Sequence, residues 1–135
     1  MRDPNRPSIL VVEDQEMVRR HITTTLERCG YSVIEADNAQ QGLSFFHANR
    51  DSVALAIIDF SMPGMSGLDM AAEMIREHPA VKILYTSGNV HSVAMEVLYR
   101  SSPESVIAKP FTSAKLVERV QLLLEKRMGA PRVSE

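Results

Sequence analysis

Three carboxylates, one hydroxyl and one ammonium stand where short apolar runs of this sequence stop: Glu13 and Asp14 after Ile9-Leu10-Val11-Val12, Asp59 after Ala54 to Ile58, Ser87 after Val81 to Tyr85, and Lys109 after Ser105 to Ala108. Three carboxylates brought together repel one another, and a hard divalent cation relieves the repulsion. Mg²⁺ takes oxygen ligands in an octahedron and keeps several waters, so one or two protein carboxylates suffice, the rest coming from backbone, solvent and phosphate. Such a site suits phosphate chemistry. With the metal and Lys109 neutralising phosphoryl oxygens and the Ser87 hydroxyl donating to another, a carboxylate can displace a leaving group in line, catalysis being mainly positioning and charge stabilisation. Asp59 is the nucleophile on this reading and an acyl phosphate the product. Each residue also has a plainer reading, since an acidic pair after a strand is favoured by the dipole of the helix that follows. The weight lies in all five types falling at strand ends in one order.

The elements that must position them read as five strand-then-helix units. Ser8 to Val12 is apolar on both faces, as a central strand covered by helices must be. From Gln15 to Cys29, Val18, Ile22, Leu26 and Cys29 recur at helical spacing, and Gly30 ends the pattern. Tyr31 to Glu35 is a second strand, and Asp37 with Gln40 opens a helix to about Ala48 in the manner of a capping box. Ala54 to Ile58 ends at Asp59, and Ser61-Met62-Pro63-Gly64-Met65-Ser66-Gly67 can be only a loop. Ser66 then caps a helix with Leu68, Ala71, Ala72 and Ile75 on one face. Val81 to Tyr85 is the fourth strand; Val90, Val93, Ala94, Val97 and Leu98 mark the fourth helix; Ser105 to Ala108 is the fifth strand. Thr112 or Ser113 caps a last helix with the stripe Leu116, Val120, Leu123 and Leu124, which Gly129 and Pro131 end. Strict alternation with right-handed crossovers gives a doubly wound α/β fold, a (βα)5 unit with a parallel five-stranded sheet. In such a sheet functional groups collect at the carboxyl ends of the strands, where all five residues lie.

The chain has 135 residues, 44% hydrophobic and 24% charged, which allows one globular domain and no second. A net charge of −2 lacks the cationic excess of a non-specific nucleic-acid binder. The apolar runs are too short to span a bilayer or serve as a signal peptide, so no membrane role and a cytoplasmic location are expected. Cys29, the single cysteine, is expected to be a small buried hydrophobe. His21, His47, His78 and His91 form no pair at metal-ligand spacing. Met62, Met65, Met95 and Tyr99, in a loop and on the outer side of a helix, are candidates for a partner surface or for scattered surface apolars.

Four segments together resemble the response-regulator receiver domains of two-component systems: Ile9-Leu10-Val11-Val12-Glu13-Asp14, Asp59-Phe60-Ser61-Met62-Pro63-Gly64-Met65-Ser66-Gly67, Leu84-Tyr85-Thr86-Ser87-Gly88 and Lys109-Pro110-Phe111-Thr112. The resemblance covers Ser8 to Met128, with residues 1–7 and 129–135 as flexible termini. It implies a flavodoxin-like sheet of order 2-1-3-4-5. Asp59 is then the phosphoacceptor, Glu13 and Asp14 the Mg²⁺ carboxylates with the Ser61 carbonyl as a further ligand, Ser87 the switch hydroxyl with Thr86 as its rival, and Lys109 the ion pair to the phosphoryl group. A cis Lys109-Pro110 bond is also implied. Ser61 and Asn89 occupy the positions that tune the phosphoryl lifetime. Val106 departs from the family, many members of which carry there a Tyr or Phe that turns inward, so the fourth helix and its preceding loop are expected to carry the signal instead.

The function implied is a signalling switch rather than an enzyme with a separate substrate. Its phosphoryl group would come from a histidine kinase or a histidine phosphotransfer protein, and its output would be altered binding of a protein target, with no nucleic-acid binding of its own. A monomer or weak dimer is expected, from a stand-alone regulator or a piece of a larger protein such as a hybrid kinase. A haloacid-dehalogenase-type phosphatase also forms an aspartyl phosphate, but carries a second Asp two residues beyond the nucleophile, where this chain has Ser61. A constitutive pseudo-receiver is disfavoured because every residue type of the acceptor site is present.

Overall fold

The computed structural model describes residues 7–88 and 92–125. Five parallel strands, β1 (Ser8–Val12), β2 (Ser32–Ala36), β3 (Val53–Asp59), β4 (Lys82–Ser87) and β5 (Val106–Ala108), form one sheet in the order β2-β1-β3-β4-β5. Between and after them run α1 (Glu16–Arg28), α2 (Ala39–Asn49), α3 (Gly67–Glu77), α4 (Val93–Ser101) and α5 (Ser113–Glu125). This is the flavodoxin-like order expected, and it sets β1 and β3 side by side at the point where the winding reverses.

Strand pleating divides the core in two. Leu10, Val12, Ala56, Ile58, Ile83 and Tyr85 face α2 and α3, packing on Leu43, Phe46, Met70 and Met74. Ile9, Val11, Leu55, Ile57, Leu84 and Ile107 face the other way, onto Ile22 and Leu26 of α1 and Leu116, Val120 and Leu123 of α5. Burying each such side chain stabilises the fold by about 1.5–3 kcal/mol before the entropy of ordering is subtracted. The polar residues sit on the rim formed by the carboxyl ends of the strands.

Some local expectations are corrected and others hold. Helix α2 is capped by Asn38, whose side chain accepts from the Gln41 N–H at 2.7 Å, while Gln41 Oε1 accepts from the Asp37 N–H at 2.9 Å; the capping pair is displaced by one residue from Asp37 and Gln40. Helix α3 buries Gly67, Met70, Ala71 and Met74, leaving Ala72 exposed and Ile75 42% exposed. Both stripes have helical spacing, and the close seating of Gly67 on the end of β3 selects the second. In α4 Met95 is fully buried while Val93 and Val97 are exposed, the reverse of the expected outward methionine, and Met62 is buried as well. Cys29 caps α1 half-buried rather than buried. Ser105 ends a 3-10 turn, Pro103–Ser105, and β5 begins only at Val106. Ser66 caps α3, accepting from the Asp69 N–H at 3.1 Å, and Thr112 caps α5, accepting from the Lys115 N–H at 3.1 Å. Gly30 adopts φ 92°, a left-handed conformation that glycine reaches without a Cβ clash, and so stops α1 where expected. Asn89, Val90, His91, Met128, Gly129 and Pro131, with the expected flexible termini apart from Pro7, lie outside the described residues.

Candidate metal centre

Glu13 and Asp14 follow β1, Asp59 ends β3, Ser87 ends β4 and Lys109 follows β5. Strand order therefore brings to one rim residues far apart along the chain. Carboxylate oxygens of Glu13, Asp14 and Asp59 all lie within 4.8 Å of one another, Glu13 and Asp59 buried and Asp14 exposed. Lys109 reaches across them: its Nζ donates to Glu13 Oε1 at 3.1 Å and lies 3.4 Å from Asp59 Oδ2. The Lys109-Pro110 bond is cis, as the resemblance implied.

Backbone groups hold the carboxylates in place. The Ser61 N–H donates to Asp59 Oδ1 at 3.0 Å, and the Gln15 N–H to Glu13 Oε2 at 3.0 Å. Burial pushes the Glu13 carboxyl up to about 7 and the charge of Asp59 adds to the rise; the Gln15 N–H and Lys109 oppose it. One cation among three oxygen-only donors reverses that penalty, which is why this donor set fits a hard ion such as Mg²⁺.

The neighbouring chain fixes where Asp59 stands. The Phe60 N–H donates to the Thr86 carbonyl at 2.9 Å, continuing the β3–β4 ladder past the acidic residue. The Phe60 ring meets Tyr85 edge to face, 5.7 Å between centroids. A Cβ on Gly67 would lie 3.3 Å from Phe60 Cα and 3.4 Å from the Asp59 carbonyl oxygen, so any larger residue would have to push the start of α3 away from the acidic residue by tenths of an ångström. Across β4 and β5 the Lys109 N–H donates to the Ser87 carbonyl at 2.8 Å. Ser87 is buried in this corner, and beside it the Thr86 hydroxyl is buried without a hydrogen-bond partner.

Two arginines absent from the sequence reading support the rim. Arg19 of α1 donates through Nη1 to the Glu13 carbonyl at 2.9 Å and through Nε to Glu35 at 3.1 Å, bracing the acidic turn. Arg119 of α5 donates to the carbonyls of Pro103, Glu104 and Val106, tying the approach to β5 onto the last helix. An Arg every few residues on an amphipathic helix carries no signal that separates such a brace from a solvated charge. His21 and His47 are exposed; His21 contacts Ser113 and stacks on Phe111, and His47 pairs with Glu77.

A doubly wound five-stranded sheet of this order, with an acidic cluster and a lysine converging at its switch point, defines a class of signalling domain. The chain belongs to the family of the response regulator receiver domain, whose family model matches residues 9–121. It is similar to the aerobic respiration control protein ArcA of Escherichia coli K12, 34% identical over 132 residues, covering 96% of this chain and 53% of that protein. It is also similar to the sensor kinase CckA of Brucella abortus, 28% identical over 120 residues, covering 89% of this chain and 13% of that one. Among solved structures it resembles a CheY-like receiver domain protein of Methanospirillum hungatei, with a TM-score of 0.78, 25% identity, and coverage of 89% of this chain and 94% of that one. The chain thus spans about half the length of the regulator and a small part of the kinase. Receiver domains are the signalling switches of two-component systems. No helix among the described residues is long and apolar enough to cross a membrane.

Proposed function

We propose that this domain accepts a phosphoryl group on Asp59 from a phosphohistidine donor, in a Mg²⁺-dependent step, and that phosphorylation changes its affinity for a protein target. The observation that carries the reading is the Lys109 ammonium set against Glu13 and Asp59, with the carboxylate oxygens of Glu13, Asp14 and Asp59 within 4.8 Å of one another. Glu13, Asp14 and Asp59, with the Ser61 carbonyl, would hold the metal ion. When bound, the ion supplies positive charge to the acidic cluster and to the phosphoryl oxygens.

Four residues of the chain share the transfer. A carboxylate oxygen of Asp59 attacks phosphorus as the P–N bond to the donor imidazole breaks; that nitrogen keeps the electron pair and takes a proton from solvent. The Ser61 N–H, 3.0 Å from Asp59 Oδ1, orients the carboxylate. Lys109 pairs with the phosphoryl oxygens, and the Ser87 hydroxyl donates to another. Binding energy then falls differently on two states of the domain, which shifts their populations. A histidine kinase or a histidine phosphotransfer protein is the donor; the similarity to the sensor kinase CckA supports that pairing. The domain is a switch that catalyses only its own phosphorylation and dephosphorylation.

Incubation with acetyl phosphate and Mg²⁺, followed by intact-mass measurement, tests the reading. Wild type gains one phosphoryl group, and chelation of the metal or Asp59→Asn abolishes the gain. Labelling of Asp59→Asn at the wild-type rate overturns the proposal, and sustained release of phosphate from phosphomonoesters would favour the phosphatase instead.

A further inference from the structure

Thr86 is 1% exposed, and its Oγ1 meets no hydrogen-bond partner. A hydroxyl in that condition has lost its water and gained nothing in exchange, so a buried orphan calls for an explanation. Its place in the sheet suggests one. Asp59 and Thr86 are register partners across the β3–β4 ladder. Neighbouring strands lie about 4.8 Å apart, and paired residues project to the same face. That face carries Leu55, Ile57 and Leu84, below the acceptor. Ser87, one residue on, projects to the opposite face.

In the unphosphorylated protein the Asp59 carboxylate is served by other groups, Oδ1 by the Ser61 N–H at 3.0 Å and Oδ2 by Lys109 at 3.4 Å. We propose that Thr86 is a positioning residue of the phosphorylated state: its hydroxyl turns to donate a hydrogen bond to the Asp59 carboxyl group once Lys109 has moved to the phosphoryl oxygens. This rests on Asp59 being the phosphoacceptor. A phosphoryl group carries more negative charge than the carboxylate and draws the ammonium outward, which leaves one side of the carboxyl group without a donor. Threonine can respond without repacking, because a step between staggered χ1 wells exchanges its hydroxyl with a methyl of similar size. A hydrogen bond made in one state and missing in the other favours the state that makes it. The two adjacent residues then divide the work, Ser87 on the phosphoryl group and Thr86 on the carboxyl group that bears it.

The test compares the whole chain with Thr86→Val, which keeps the shape and removes the hydroxyl, and Thr86→Ser, which keeps the hydroxyl. Two quantities are measured: affinity for beryllofluoride, a phosphoryl mimic that bonds to the aspartate oxygen, in Mg²⁺ by titration calorimetry; and melting temperature without metal or beryllofluoride. Thr86→Val is expected to bind beryllofluoride roughly tenfold more weakly, the equilibrium equivalent of one hydrogen bond, yet to melt at or above the wild-type temperature because no orphan remains. Thr86→Ser is expected to bind like wild type. Equal affinity of Thr86→Val and wild type overturns the inference, as does weak binding by Thr86→Ser, or a melting temperature of Thr86→Val below wild type. Failure of the wild type itself to bind beryllofluoride overturns the reading of Asp59 and this inference with it.

Discussion

The Lys109 ammonium lies nearer Glu13, at 3.1 Å, than Asp59, at 3.4 Å. The lysine's nearer partner is thus Glu13 rather than the proposed phosphoacceptor. On the proposed reading Glu13 both anchors the cation that phosphate attracts and offers its own charge to a metal, and Glu13→Gln separates these duties.

Glu13→Gln keeps an oxygen for the Gln15 N–H and removes one of two charges buried side by side. Mg²⁺ affinity is expected to fall roughly tenfold or more, tenfold being about 1.4 kcal/mol. Without metal, the melting temperature is expected to rise by a few degrees because burial no longer penalises a carboxylate here. Titration calorimetry and thermal melting with and without Mg²⁺ read the two effects; a variant that loses stability and keeps its Mg²⁺ affinity would show Glu13 to be structural.

Gly67→Ala places a methyl 3.3 Å from Phe60 Cα and 3.4 Å from the Asp59 carbonyl oxygen. Backbone cannot swing aside as a side chain can, so the start of α3 must shift by tenths of an ångström. A loss of about 1–2 kcal/mol in stability is expected, together with slower labelling by acetyl phosphate, because the shift falls on the residue carrying the nucleophile. Denaturant unfolding and labelling kinetics measure them, and unchanged kinetics would show that the acceptor tolerates the shift.

Burial pushes the Tyr85 phenol up to about 12 from its ordinary 10.0. The folded state holds this proton more tightly than the unfolded chain does, so the stabilisation is whole below pH 10 and is lost as pH rises through about 12. Tyr85→Phe should remove that part of the alkaline decline in unfolding free energy. A phenolate absorbance titration should also lose a component ionising near pH 12, and a variant titrating like wild type would place the late proton elsewhere.

Helix α4 buries Met95 alone, presents Val93 and Val97 to solvent, and so is weakly anchored; the approach to β5 beneath it is held by Arg119. Beryllofluoride with Mg²⁺ is therefore expected to shift backbone amide resonances along Ser92 to Arg100 while Val106 and Ile107 change little. Large shifts at β5 with a silent α4 would put the output path on the other side of this boundary.

Much of the site was legible because strand ends are easy to find and their order in the sheet limits what can meet. Glu13, Asp59, Ser87 and Lys109 each follow a run of aliphatic residues, and parallel pairing sends every run's end to one rim. What escaped was anything decided by packing. Asp37 and Asn38 are both good caps, and the chain's entry angle chooses Asn38. Two apolar stripes compete on α3, and contact at Gly67 chooses Met70 and Met74 over Ala72 and Ile75. Met62 and Met95 look like surface candidates because an unbranched thioether fits many places; only the gap each fills says otherwise. Arg19 and Arg119 bond to carbonyl oxygens, and a sequence gives no account of which carbonyls need a donor.

Strand β5 has three residues, lies at the margin of the sheet and is joined to it through β4 alone, by three register pairs. Parting those pairs would withdraw Lys109, and with it the ion pairs to Glu13 and Asp59, while the other four strands stay paired. The counter-charge to the acidic cluster therefore rides on the shortest strand of the sheet, one held by β4 on a single side and by Arg119 of α5.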